Sequence, residues 1–277
     1  PRRRLDWMPW RGLRVVKPRA PCSMPAPAAA YSTPMPGNMW DESEPPQDLD
    51  LRLLRVGAAP LNDDGTVLQV RLETTRGTIE GILHPVEGGT GAVVCVGGAM
   101  GGLDGPADKL YERLAGLLAP SRVTVLRLNY REPNNFEECV LDTLAGCSFL
   151  RGIGAAELAL VGHSFGGAVV IKAGELHDAV RGVVSMSPQL YGTREVENLG
   201  KPLLLIHGMS DGVLNHEASE DIYRRALEPK RIALFAEAGH SLIQAKDQID
   251  QLLIEWLPAR LAGDPMRGGR EEHEVGG

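Results

Sequence analysis

The stretch LALVGHSFGGAVVIKAGEL, residues 158–176, runs from an apolar segment through two glycines into a helix-like pattern. Ser164 stands between Gly162 and Gly166, so GHSFG reads G-x-S-x-G, with a strand expected before it and a helix after it. A sharp turn at such a junction lifts the serine hydroxyl above the end of a sheet. Strand and helix backbones then crowd at positions 162 and 166, where a Cβ would be in the way. The amide of Phe165, at the helix N-terminus, is free to donate to an anion.

Outward from this turn, strands and helices alternate. ELALVG (157–162) is one of several continuous apolar runs, with GAVVCVGG (91–98), VTVLRLNY (123–130), VRGVVSMSP (180–188), KPLLLIHG (201–208) and RIALFAEAG (231–239). Between them, residues 108–119, 135–153, 216–227 and 242–262 carry helical spacing. TVLQVRLETTRGTIEGILHPV (66–86) alternates like a hairpin with a turn near Gly77. Strands apolar on both faces, separated by amphipathic helices, predict an α/β fold. It is a mostly parallel twisted sheet with helices on both faces and an N-terminal hairpin.

In open sheets of this kind chemistry gathers at the carboxyl ends of the strands. A serine hydroxyl there is a poor nucleophile until a base takes its proton. His240, after the last apolar strand in AEAGHSL, is the candidate base. Its other ring nitrogen needs an acid, and Asp211, in LIHGMSDGVLN beyond the preceding strand, supplies one. The chain order Ser164, Asp211, His240 is that of a nucleophile-elbow triad. A second donor to a developing oxyanion is expected from the loop GGAMGGLDG (97–105), with the Ala99 amide favoured and Met100 the alternative. That loop lacks the Lys-Ser/Thr of a P-loop and the G-x-G-x-x-G of a dinucleotide site, so no cofactor is expected.

The remaining reactive side chains have plainer readings. His163 packs or orients within the turn, and His207 closes a strand and hydrogen-bonds locally. His84, His177, His216 and His273 show no metal spacing, and no metal is expected. Cys95 reads as core. Asp142 and the acids at 137 and 138 fall on a helix face and are expected to be solvated. Met100, Leu103, Leu214 and residues 186–192 are expected to give the site apolar walls.

The chain has 277 residues and a formal net charge of −7. Its first 19 residues hold seven Lys/Arg and one acid, so the rest carries −13, which argues against nucleic acid as a partner. Cys139 and Cys147, eight residues apart on one helix, are about 12 Å apart along its axis and too far for a bridge. Reduced thiols point to the cytoplasm, with organelle targeting by the Arg-rich leader the lesser alternative. No stretch is long and apolar enough for a membrane span. Residues 1–50 read as a disordered leader ending in the acidic linker DESEPPQDLD, 51–263 as the folded domain, and 264–277 as a disordered tail.

On VGHSFGG, LLLIHGMSDG, AEAGHSL and VGGAMGG the chain resembles the α/β-hydrolase superfamily over about residues 66–262. The resemblance implies Ser164 as nucleophile, His240 as general base, Asp211 as its orienting acid, and an acyl-enzyme hydrolysed by water. Many relatives begin the oxyanion loop with His-Gly, where this chain has Gly97-Gly98. Only residues 189–201 stand where relatives insert a lid, which suggests compact esterases, thioesterases and dienelactone-hydrolase-like proteins, although the last use Cys at the position of Ser164. The expected activity is hydrolysis of an ester or thioester of a small-molecule acyl substrate. A peptidase or acyltransferase on the same triad, and a non-catalytic binding protein, are the alternatives. The oligomeric state is not encoded in any of these patterns.

Overall fold

Two periodicities decide the architecture, the alternation of side chains along strands and the 3.6-residue repeat of the helices that cover them. The computed structural model describes residues 6–9, 14–15, 50–266 and 268–273. In chain order the strands and helices are β1 (Asp6–Pro9), β2 (Arg14–Val15), β3 (Leu51–Pro60), β4 (Leu68–Thr74), β5 (Gly77–His84), β6 (Gly91–Val96), α1 (Pro106–Leu118), β7 (Val123–Asn129) and α2 (Phe136–Gly152). They continue as β8 (Glu157–His163), α3 (Phe165–Leu176), β9 (Val180–Met186), β10 (Leu203–Gly208), α4 (Glu217–Arg225), β11 (Lys230–Phe235), α5 (Lys246–Leu261) and β12 (Gly269–His273).

The sheet order is β1-β3-β4-β5-β7-β6-β8-β9-β10-β11-β12, with β2 paired to β3. Strands β1 to β5 pair antiparallel, as does β5 with β7, and every later pairing is parallel. The 66–86 hairpin is β4 and β5, in register from Leu68 opposite Leu83 to Thr74 opposite Gly77. The continuous apolar strands divide between two cores. Val94, Leu126, Leu160, Leu205 and Leu234 face one core, covered by α2, α3 and α4. Val93, Val125, Val161, Ile206 and Phe235 face the other, covered by α1 and α5. Burial on both faces is the reason these strands read as unbroken apolar runs.

The structure departs from the sequence reading at the margins. β3 pairs with β4 ahead of the expected hairpin. β1, β2 and β12 lie in segments expected to be disordered, and join the sheet through main-chain pairing that needs no apolar periodicity. β12 runs parallel to β11 and is tied by Arg231 to Glu271 at 2.5 Å and by Arg270 to Glu220 at 2.7 Å. Residues 1–5, 10–13, 16–49, 267 and 274–277 of the expected leader and tail, Cys22 included, lie outside the described residues. Cys95, Cys139 and Cys147 are free and buried. No helix among the described residues is long and apolar enough to cross a membrane.

A second departure is energetic. Glu138 and Asp142 are buried, not solvated. Asp142 accepts from the Arg131 backbone N–H at 2.8 Å and from its guanidinium, while Glu138 accepts from Arg131 at 2.7 Å and from Arg76. The helix pattern could not show this, because both arginines come from other elements. Burial pushes the Asp142 carboxyl up to about 6, and Arg131 opposes that rise. Removing one partner strands a buried charge, so Asp142→Ala is expected to cost about 3–5 kcal/mol. Urea unfolding checks this; a loss under about 1 kcal/mol would show that the network is replaceable by water.

Candidate active site

The order β7-β6-β8 places the chain reversal of the sheet between β6 and β8, so the loop after β6 lies against the turn after β8. At that turn Ser164 adopts φ 57°, ψ −120°, a conformation an L residue holds only when its surroundings impose it. The imposing contacts are on either side. A Cβ at Gly162 would collide with the Gly166 carbonyl, and a Cβ at Gly166 with the Gly97 carbonyl. Ser164 N–H donates to the Met186 carbonyl at 2.8 Å, and its carbonyl accepts from Gly167 at 2.9 Å. Phe165 begins α3.

The glycine loop 97–102 is folded over this turn. Gly101 N–H donates to the Gly98 carbonyl at 2.9 Å and Gly102 N–H to Asn129 Oδ1 at 2.9 Å. Neither bond uses the Ala99 or Met100 amide; Ala99 is half-buried and Met100 exposed. A Cβ at Gly98 would stand 3.6 Å from Ser164 Cβ and 4.0 Å from its Oγ, so the loop backbone is adjacent to the hydroxyl.

Asp211 and His240 meet because the loops after β10 and β11 are bonded together. Met209 N–H donates to the Phe235 carbonyl at 2.8 Å and Ser210 N–H to the Ala238 carbonyl at 3.0 Å. His240 Nδ1–H then donates to Asp211 Oδ2 at 2.8 Å, which leaves Nε2 unprotonated. Asp211 Oδ1 accepts the amides of Val213 at 2.8 Å and Leu214 at 2.9 Å. Burial alone would raise the Asp211 carboxyl; the Leu214 amide, the His240 imidazole and the Val213 amide outweigh it and hold it below the usual carboxylate range. No hydrogen bond joins Ser164 Oγ to His240. The two sit on one edge, since the ring of His163, next to Ser164, lies 4.8 Å from the ring of His240.

Two histidines do more than packing residues would. His163 Nε2–H donates to the His240 carbonyl at 2.8 Å, latching the loop that carries the imidazole. Burial pushes His163 down to about 4, so it is neutral beside His240 at pH 7. A buried histidine held neutral stabilises the fold above pH 6.5, and that stability is lost as pH falls from 6.5 towards 4, by about 3 kcal/mol for this group. The urea midpoint is therefore expected to drop between pH 7 and pH 5 more steeply in the wild type than in His163→Asn. Equal slopes would remove His163 as the cause. His207 donates to Asp211 Oδ2 at 3.1 Å, a partnership that strand reading alone did not reveal.

Among the described residues no group of three or more His, Cys, Asp or Glu could hold a metal ion. Between β9 and β10 the segment 187–202 contains only a short 3-10 turn, Val196–Leu199. Exposed apolar side chains, Met100, Leu190, Tyr191, Met209, Val213 and Ile243, fall in the loops after β6, β9, β10 and β11. Of the other expected wall residues, Leu214 carries an amide to Asp211 and a carbonyl that accepts from His207.

Residues 124–253 match the Dienelactone hydrolase family. The chain has the α/β-hydrolase fold. Structures similar to this chain include dienelactone hydrolase from Anabaena variabilis, 19% identical with a TM-score of 0.58 over 66% of this chain and 92% of that one. A protein of unknown function from Agrobacterium tumefaciens is 18% identical, with a TM-score of 0.61 over 72% and 100%. The esterase domain of a Rhodothermus marinus protein is 22% identical, with a TM-score of 0.55 over 70% and 98%. No curated protein matches the chain.

Proposed function

We propose that this α/β hydrolase cleaves carboxylic esters or thioesters of small-molecule acyl substrates, with Ser164 as nucleophile, His240 as general base and Asp211 as the acid that orients it. The observation that carries the reading is the 2.8 Å bond from His240 Nδ1 to Asp211 Oδ2. It commits the imidazole to the tautomer whose Nε2 can take a proton, on the edge where the strained serine stands. The match to the Dienelactone hydrolase family and the esterase among the similar structures support ester hydrolysis.

Ser164 Oγ attacks the carbonyl carbon as His240 Nε2 takes its proton. The oxyanion accepts from the amides of Phe165 and of Ala99, each worth on the order of 3 kcal/mol of transition-state stabilisation. His240 returns the proton to the leaving oxygen or sulfur, and water repeats the sequence on the acyl-enzyme. Catalytic hydrogen bonds of this kind often tighten only on substrate binding. Three buried free thiols fit the reducing cytosol we assign as its location.

Labelling by a fluorophosphonate probe, with a panel of p-nitrophenyl esters and acyl-CoA thioesters, tests the reading. Labelling of the wild type together with turnover of at least one ester or thioester class is expected. A wild type that is neither labelled nor active on any of them is a binding protein on a hydrolase fold.

A further inference from the structure

Asp211 is a loop residue asked to hold an imidazole still. Its own loop secures one oxygen only, Oδ1, through the amides of Val213 and Leu214. A carboxylate held at one oxygen can still pivot, and the other oxygen faces His240. That second oxygen has a further donor. His207 Nε2 lies 3.1 Å from Asp211 Oδ2 and 3.0 Å from the Leu214 carbonyl. Both neighbours are acceptors, so Nε2 carries the proton and Nδ1 accepts from the Ser219 hydroxyl at 2.7 Å.

His207 is well placed for such a task. It lies in β10, between β9 and β11, opposite Leu234, and is fully buried. Ser219, also fully buried, comes from α4. We propose that His207 is the positioning residue of the site, transferring the rigidity of the central sheet to the loop-borne Asp211, with Ser219 selecting the tautomer that makes this possible. Without the Ser219 donor the proton can move to Nδ1, and the lone pair on Nε2 then opposes two oxygens. Burial holds His207 below the usual imidazole range, so it donates as a neutral group. The other titratable groups acting on it are Asp211, His216 and His163.

The inference rests on the hydrolase reading, and the experiment separates the two. Variants are compared by kcat per fluorophosphonate-titrated site, by KM, and by the pH midpoint of kcat/KM. His207→Phe is expected to lower kcat per site about tenfold to hundredfold with little change in KM, the range seen when the outer hydrogen-bond partner of a metal ligand is removed. Loss of the donor also leaves the carboxylate more basic, so the pH midpoint is expected to rise by about half a unit. Ser219→Ala is a smaller perturbation that keeps the fold, and is expected to move both readouts in the same direction. His207→Gln keeps an N–H near the Nε2 position, and Ser219→Thr keeps the hydroxyl. Both are expected within about threefold of wild type. A merely structural histidine would change the amount of folded protein without moving either per-site readout. A labelled wild type whose Ser219→Ala and His207→Phe keep its per-site kcat and midpoint overturns this inference alone, whereas an unlabelled, inactive wild type overturns the hydrolase reading as well.

Discussion

Ser164→Ala is expected to lower kcat by about 10^4- to 10^6-fold and to abolish fluorophosphonate labelling. The size of the loss follows from what remains. The proposed oxyanion amides, Asp211 and His240 stay in place, so some stabilisation of a water-attack transition state survives. The covalent route does not. The fold should be nearly unaffected, because Ser164 is held by its backbone, through bonds to Met186 and Gly167 that alanine also makes. Circular dichroism and thermal unfolding beside the kinetics separate the two effects. A variant that keeps activity within about tenfold would show that the strained turn serves another purpose than nucleophilic attack.

Asp211→Asn should come next in size, with kcat lower by about 10^4-fold. The amide oxygen can still accept from Val213 and Leu214, which places the NH2 group where Oδ2 was. There it meets His240 Nδ1 and His207 Nε2, both donors in the present arrangement. His240 relieves the clash by moving its proton to Nε2, which leaves no lone pair there for the proposed role as base. The variant's amide does not titrate, so raising pH restores no carboxylate and no recovery is expected, whereas the wild-type carboxyl, held below its usual range, stays ionised throughout neutral and mildly acidic pH. Activity restored at alkaline pH would instead indicate a hydroxide-driven route that does not use this carboxylate.

Much of this arrangement is legible in the chain because parallel strands carry a strong signal. Both faces of β6 through β11 are covered, so each reads as an apolar run, and the polar residue that ends it marks the site edge. The turn at Ser164 is written in its two glycines, since no other residue fits where backbones meet. By contrast, β12 is held by main-chain pairing and by Arg231 and Arg270, leaving no apolar pattern to find. Asp142 and Glu138 look solvated on a helix wheel because Arg131 and Arg76, which pair them, are brought in from other elements.

The candidate site divides along the same line. Which residue types stand at the strand ends, and in what order, is local information: the loop glycines, Ser164, Asp211 and His240 can be read without coordinates. The mutual arrangement of those groups is long-range. The loops after β10 and β11 are joined by main-chain bonds, His163 latches the His240 carbonyl, and His207 and Ser219 approach Asp211 from a central strand and a covering helix. Such contacts depend on strand order and register, which no local pattern encodes, and only the folded chain brings them into being.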